Sequence, residues 1–238
     1  MDIKIYSDHY TINNNRYDRV TEVLSYFMPK PLVKWAIDKG KKAYQDETKI
    51  AKSIGTRVDK ITTAIINNER WAITDKDHPA IRNCVSGFQN WLKEEKPIII
   101  DTQITCYDDE LKIAGTRDMR TADTIIDVKC ANRISLSYWL QLSAYYYLSK
   151  LPDITHIAIL RLDKLTGDYQ YKRIPINPEL WQLYKALLGY YRYCNIADKI
   201  EEKGGDEDIL AVSTEFQKKF GIFATEVKSD WSKFHSEI

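Results

Sequence analysis

Asp127, Val128 and Lys129 close a short apolar run that begins at Thr124, with Asp118 nine positions upstream and Gln141 and Tyr145 downstream. On an extended chain side chains alternate from face to face, so Asp127 and Lys129 project to the same side of a sheet. A carboxylate able to ligate a metal and a lysine able to offset negative charge would then share one pocket. Gln141 and Tyr145 stand four residues apart, hence on one face of a helix, and can bring an amide and a phenol to the same place.

These residues need elements to hold them. A change of hydrophobic period near residue 97 divides the chain. Before it, helices are predicted over 21–27, 31–39, 54–65 and 80–93, from apolar residues recurring at three and four positions; Pro29 and Pro31 interrupt the first pair, Gly40 stops the second, and the stretch 41–53 reads as polar. The first hundred residues are therefore expected to be mostly helical. After it, strands are predicted over 98–107, 111–118 and 124–128, joined by polar turns at 108–110 and 121–123, with consecutive antiparallel pairing as the simplest outcome. A helix over 135–148, strands over 155–162 and 169–176, and a long helix over 179–195 opening at Pro178 follow. Gly204 and Gly205 mark a linker over 201–208, with a short appendage beyond it. The expected division is one domain over 1–200, helical over about 17–95 with its catalytic core over about 96–200, and then 201–238.

The order helix, three strands, helix, strand, with Gly115-Thr116-Arg117-Asp118 on the second strand and Asp127-Val128-Lys129 on the third, resembles the PD-(D/E)XK nuclease superfamily. Gln141 and Tyr145 match the QxxxY motif of its RecB-like branch, and Gly55 to Asp59 resembles that branch's GTxxH helix. The resemblance covers roughly 21–176. It implies an α/β, restriction-endonuclease-like core, a mixed sheet in the order α-β-β-β-α-β with a helical N-terminal part, and a divalent-metal-dependent DNA nuclease. The activity implied is exonucleolytic, on DNA ends or single-stranded DNA in recombination, repair or phage DNA metabolism. Asp118, Asp127 and the main-chain carbonyl of Val128 would hold Mg2+ or Mn2+, hard cations that prefer oxygen. Lys129 would orient or help deprotonate the attacking water; a lysine close to a cation can have a lowered pKa. Gln141 and Tyr145 would face the active site and contact DNA, with Arg120 and Arg133 placed to meet phosphate.

Two positions depart from the family's pattern. Asp59 stands where the branch carries a histidine ligand, and a carboxylate there still suits a hard cation. On the first strand, Asp101 and Gln103 take the place of a glutamate. The C-terminal cysteine group with which some relatives hold an iron–sulfur cluster is missing, so no cluster is expected. Cys84, Cys106, Cys130 and Cys194 include no CxxC pair and read as free thiols; His9, His78, His156 and His235 form no ligand or triad spacing. Arg117 should point away from Asp118 on a regular strand.

The 238 residues carry 35 Lys and Arg against 34 Asp and Glu. With no whole-molecule basic field, affinity for nucleic acid must come from local patches. One is visible between Arg16 and Lys60, eleven basic residues against six acidic, readable as a phosphate-binding surface or as a solvated helix face. No apolar run is long enough for a membrane span, and the N-terminal segment lacks a signal-peptide layout, so the expected location is cytoplasmic. Two further readings compete with a nuclease. One is a catalytically silent nuclease-fold module that only binds DNA, and the other a plain α/β domain in which the motifs coincide by chance.

Overall fold

The computed structural model describes residues 1–26 and 30–202. The predicted break at Pro29, the Gly204–Gly205 linker core, the C-terminal appendage and His235 lie outside those residues. Glu201 and Glu202, expected in the linker, are still helical.

The first hundred residues are mostly helical, as expected, but they open with three short strands in a stretch where no element was expected. β1 (Ile3–Ile5), β2 (His9–Ile12) and β3 (Asn15–Arg19) pair antiparallel in succession. Ile12 faces Asn15 across a two-residue turn whose Asn13 and Asn14 have φ of 48° and 64°. Asparagine tolerates that left-handed region, and a tight hairpin requires it twice. Tyr10 and Ile12 alternate inward on β2 and meet Tyr17 of β3 in a small core.

Helices follow: α1 (Val20–Ser25), α2 (Lys30–Lys39), α3 (Lys41–Ile66) and α4 (Pro79–Glu95). Gly40, at φ 77°, separates α2 from α3 as expected. The polar stretch 41–53 proves to be the first half of α3. It holds neither Gly nor Pro, and it carries four Lys and two Ala, which lose little on entering a helix. α4 opens on Pro79, and His78 Nδ1 accepts the Ala80 N–H at 3.1 Å.

The remainder matches the predicted order: β4 (Asp101–Asp108), β5 (Ile113–Arg120), β6 (Thr124–Cys130), α5 (Leu136–Ser149), β7 (His156–Leu162), β8 (Tyr169–Pro175) and α6 (Pro178–Glu202). The fold is mixed α/β, and α4, β4, β5, β6, α5 and β7 realise the α-β-β-β-α-β succession. The eight strands form one sheet, β1-β2-β3-β5-β6-β7-β8, with β4 also on β5. β4, β5 and β6 are antiparallel neighbours, and α5 carries the chain over to β7, which is parallel to β6. Chain contacts separate Met1–Tyr184 from Lys185–Ile238, the described part of which continues α6.

Side-chain alternation on β6 sorts the layers. Ile126 joins Val58 and Ile61 of α3 and Phe88 and Trp91 of α4 in one core, whereas Ile125 packs with Leu142 of α5 and Ile157 and Ile159 of β7. Asp127 and Lys129 therefore belong to the α5 side.

The ladder is uneven along β5. At its start, Ile113 and Ala114 pair with β3; at its end, Met119 and Arg120 pair with β6. Residues 115–118 lie between the two partners with no strand on that side among the described residues. β6 and β7, by contrast, pair without a break from Thr124↔His156 to Cys130↔Leu162. Among the described residues no helix is long and apolar enough to cross a membrane.

Candidate active site

The opening in the β5 ladder holds the predicted constellation. Asp118 Oδ2 accepts the backbone N–H of Val128 at 2.8 Å, so a side chain takes the place of a strand partner. Lys129 Nζ lies 2.7 Å from Asp127 Oδ2, and 5.2 Å above the ring of Tyr138 of α5. Gln141 Nε2 donates to Asp127 Oδ1 at 3.3 Å and to the Tyr145 hydroxyl oxygen at 2.8 Å. Asp127, Gln141 and Tyr145 are all buried. With its oxygen accepting from Gln141, the Tyr145 hydroxyl keeps its own proton to donate.

Tyr145 reaches this place because Gly115 lets it. A Cβ at Gly115 would fall 2.4 Å from Tyr145 Cε1, closer than atoms can pack, and a tight 3.2 Å from Val20 Cγ2. Any side chain at 115 would drive the ring out of the gap.

Asp59 of α3 arrives from the other side. Its Oδ1 accepts from Gln103 Nε2 at 2.9 Å. Gln103 stands in the middle of β4 with φ of 53°, a left-handed residue inside a strand. Strain of this kind costs about 1–3 kcal/mol and persists only where its surroundings enforce it. Here the unusual backbone aims the amide at Asp59. The sequence pointed only weakly to Gln103, and nothing local to it signals a positive φ. A cavity of about 180 Å³ joins Asp59, Gln103, Thr116, Asp118 and Tyr145, with Arg19 on its wall.

Electrostatics set this cluster apart. Burial, then the neighbouring Asp127 and Asp59 carboxylates, push the pKa of Asp118 well above the carboxylate range, against the pull of Lys129 and the Val128 N–H. Burial likewise raises Asp127, opposed by Lys129. Asp59 is raised by burial and by Asp127, although the Gln103 amide favours its charged form. For Lys129, burial alone would favour the neutral amine, but Asp127 and Asp118 outweigh it and hold an ammonium. In this arrangement the lysine is a cation rather than a base, unlike the lowered pKa expected of it beside a metal. Burial and the two aspartates raise Tyr145 far above the usual phenol value, so it stays protonated.

Three carboxylates thus share one ammonium. Asp127 Oδ2 is buried with no hydrogen-bond partner and has only the ionic contact with Lys129. Among the described residues, no three His, Cys, Asp or Glu side chains stand ready to hold a metal ion. The donor chemistry still fits a hard divalent cation: all the anionic donors are oxygens, and they repel one another in a poorly solvated place.

Not every expected residue gathers here. Arg120 donates Nε to Asp101 Oδ2 at 2.6 Å, and Arg117 donates Nη2 to the same oxygen at 3.0 Å. The guanidinium expected to meet phosphate is thereby committed to a carboxylate. Arg133 is exposed in the loop between β6 and α5. Trp139 and Tyr146 pack against the α5 core, and Tyr147 stacks on Trp181 at 4.7 Å, so these aromatics are structural. His9 meets Asp8, His78 caps α4 and His156 meets Thr155, roles outside the site.

No protein-family model matches the sequence, and no curated protein matches it significantly. Solved structures are similar at a low level. An alkaline exonuclease from Laribacter hongkongensis shows 10% identity and a TM-score of 0.43, over 85% of this chain and 90% of that one. A putative exonuclease from Eubacterium rectale shows 13% and 0.47, over 72% and 77%. A phage-related exonuclease from Haemophilus somnus shows 12% and 0.41, over 79% and 96%. Likeness at this level assigns neither activity nor substrate.

Proposed function

We propose that the chain is a divalent-metal-dependent DNA nuclease that hydrolyses phosphodiester bonds, acting as an exonuclease on DNA ends or single-stranded DNA. The observation that carries the reading is the excess of carboxylate, buried Asp127 with half-buried Asp118 and Asp59 on one ammonium, in the gap of the β5 ladder. Three like charges poorly reached by water ask for a cation. The resemblance to PD-(D/E)XK nucleases of the RecB-like branch supplies the reaction that such a cation would serve.

In this reading Asp118, Asp127, the Val128 carbonyl and Asp59 would hold Mg2+ or Mn2+. When bound, the ion would supply a more acidic water and charge stabilisation at phosphorus. The chain's own residues do the rest. Lys129, a fixed ammonium, offsets charge on the phosphate oxygens and orients the attacking water through its N–H groups. Gln141 fixes the rotamer of Asp127, and the Tyr145 hydroxyl has a proton to offer a phosphate oxygen. Arg133, free to extend from its loop, would meet the flanking phosphate. Recombination, repair or phage DNA metabolism are settings that suit such an enzyme.

One observation favours a second reading, a module that binds DNA without cutting it. Lys129 already neutralises Asp127, and the described carboxylates do not converge as a ready metal cage. Degradation of end-labelled single- and double-stranded DNA with Mg2+ or Mn2+ separates the two. A nuclease degrades the label, and Asp127→Ala or Lys129→Ala abolishes degradation while leaving DNA binding. A silent module binds DNA with a steep salt dependence and cuts none of it.

A further inference from the structure

Beside the site runs a feature that its chemistry does not use. Lys49, Lys52, Thr56 and Lys60 of α3 recur along one helical face and line an open cleft without an acidic residue. At 1.5 Å per residue, Lys49 to Lys60 extends for roughly 16 Å. Among the described residues, none of the three lysines forms an ion pair, and all are exposed. A second cleft continues from Lys60 to Asp59 and Gln103, and Glu69, Arg70 and Trp71 also line it. The cationic row therefore leads to the edge of the carboxylate cluster past an indole.

Trp71 is 39% exposed. A single exposed apolar residue is ordinary on a protein surface, but this one is braced. Arg57 donates Nη2 to the Ala72 carbonyl at 2.7 Å and Nε to Asp77 Oδ1 at 2.9 Å. Asp77 in turn accepts the Thr74 N–H at 2.8 Å, and Ile73 packs into the α3–α4 core. The segment that follows the exposed ring is tied down at Ala72, Ile73 and Thr74, so the indole is presented on a braced loop. A braced aromatic plane beside Arg57, Lys60 and Arg70, which outnumber the nearby carboxylate of Glu69, matches what an unpaired nucleic acid strand offers, a π face on each base and a charge on each phosphate.

We propose that Trp71 is a base-stacking platform for an unpaired DNA strand whose phosphates follow Lys49, Lys52 and Lys60 toward Asp59. The inference deepens the nuclease reading by naming the strand form the site receives, and it rests on that reading. Stacking is tolerant of sequence, so the platform selects single-stranded character and not a base.

Anisotropy of labelled oligothymidylate, and of an abasic strand of equal length, measured in EDTA on the full chain, tests it. Trp71→Ala should weaken oligothymidylate binding about 5- to 150-fold and leave abasic binding unchanged, while Trp71→Phe retains most of the affinity. Lys49→Gln with Lys52→Gln should flatten the salt dependence by roughly 1.4 in slope on both strands. Equal loss on both strands in Trp71→Ala, no loss on either, or an unchanged slope in the lysine variant overturns the proposal, as does polyglutamate competing as well as DNA. Cleavage assays on the same proteins keep the two claims apart. Wild type that cuts DNA but shows no base-dependent loss in Trp71→Ala refutes the platform alone. Wild type that cuts nothing yet loses base-dependent binding in Trp71→Ala refutes the nuclease and keeps the platform.

Discussion

β6 has two neighbours and treats them differently. Toward β7 it pairs along its whole length, from Thr124 to Cys130, and the strand is anchored by Ile125 and Ile126 packed into two cores. Toward β5 it pairs only at Ile125 and Ile126, and beyond them Asp127, Val128 and Lys129 face a gap bridged by the Asp118 side chain. The closed seam gains stability from burial and satisfied backbone. The open seam gathers buried charge that no strand neutralises. A short segment of one strand is thus divided between folding and chemistry, which is the usual trade of stability for a poised site.

Substitutions can sharpen or break that division. The largest expected loss of stability lies on the closed seam, where Ile159 of β7 is fully buried. Ile159→Ala should cost about 2–5 kcal/mol, read as a shift in the urea midpoint, while cleavage per folded molecule stays near wild type. A comparable fall in activity would mean that the seams are not separate. Gly115→Ala comes next, at about 1–3 kcal/mol from overpacking against Tyr145. Unlike Ile159→Ala it should also depress cleavage, because the displaced ring loses its contact with Gln141.

The smallest change should have the opposite sign. Asp118→Asn keeps an oxygen for the Val128 N–H but removes a charge that Asp127 and Asp59 oppose. It should stabilise the metal-free protein by roughly 0.5–2 kcal/mol at pH 7.5 while abolishing cleavage. The advantage should shrink in acid. A carboxyl whose folded pKa is raised binds a proton more readily when folded than when unfolded. Wild type therefore gains stability as pH falls from above that raised value toward the ordinary 3.8, and asparagine cannot. Thermal melts of both proteins at pH 7.5 and 5 check this; a constant difference between them would show that Asp118 does not carry the strain.

Much of the site was readable in the sequence because its signals are local. Period two placed Asp127 beside Lys129, and helical spacing placed Gln141 beside Tyr145. The gap that unites them was not readable, since it arises where β3, from an N-terminal hairpin for which no element was expected, occupies the start of β5. The Asn13–Asn14 turn was the available signal for that hairpin. Gln103 was legible as a residue near the site but not as a left-handed one, because its conformation is enforced by Asp59 and Thr63, some forty positions away. Arg120 looked available for phosphate only while Asp101 seemed a separate candidate. Trp71 gave no signal at all, because its exposure depends on the Arg57–Asp77 brace.

The claim that the open seam requires a divalent cation is tested most directly by melting the protein during a Mn2+ titration at fixed ionic strength. A ligand that binds only the folded state raises Tm in step with its concentration above Kd. Wild type should climb with Mn2+, whereas Asp118→Asn combined with Asp127→Asn should stay flat from its own metal-free Tm. An equal climb in both proteins, or none in wild type, would contradict the assignment of the carboxylate cluster as the metal site.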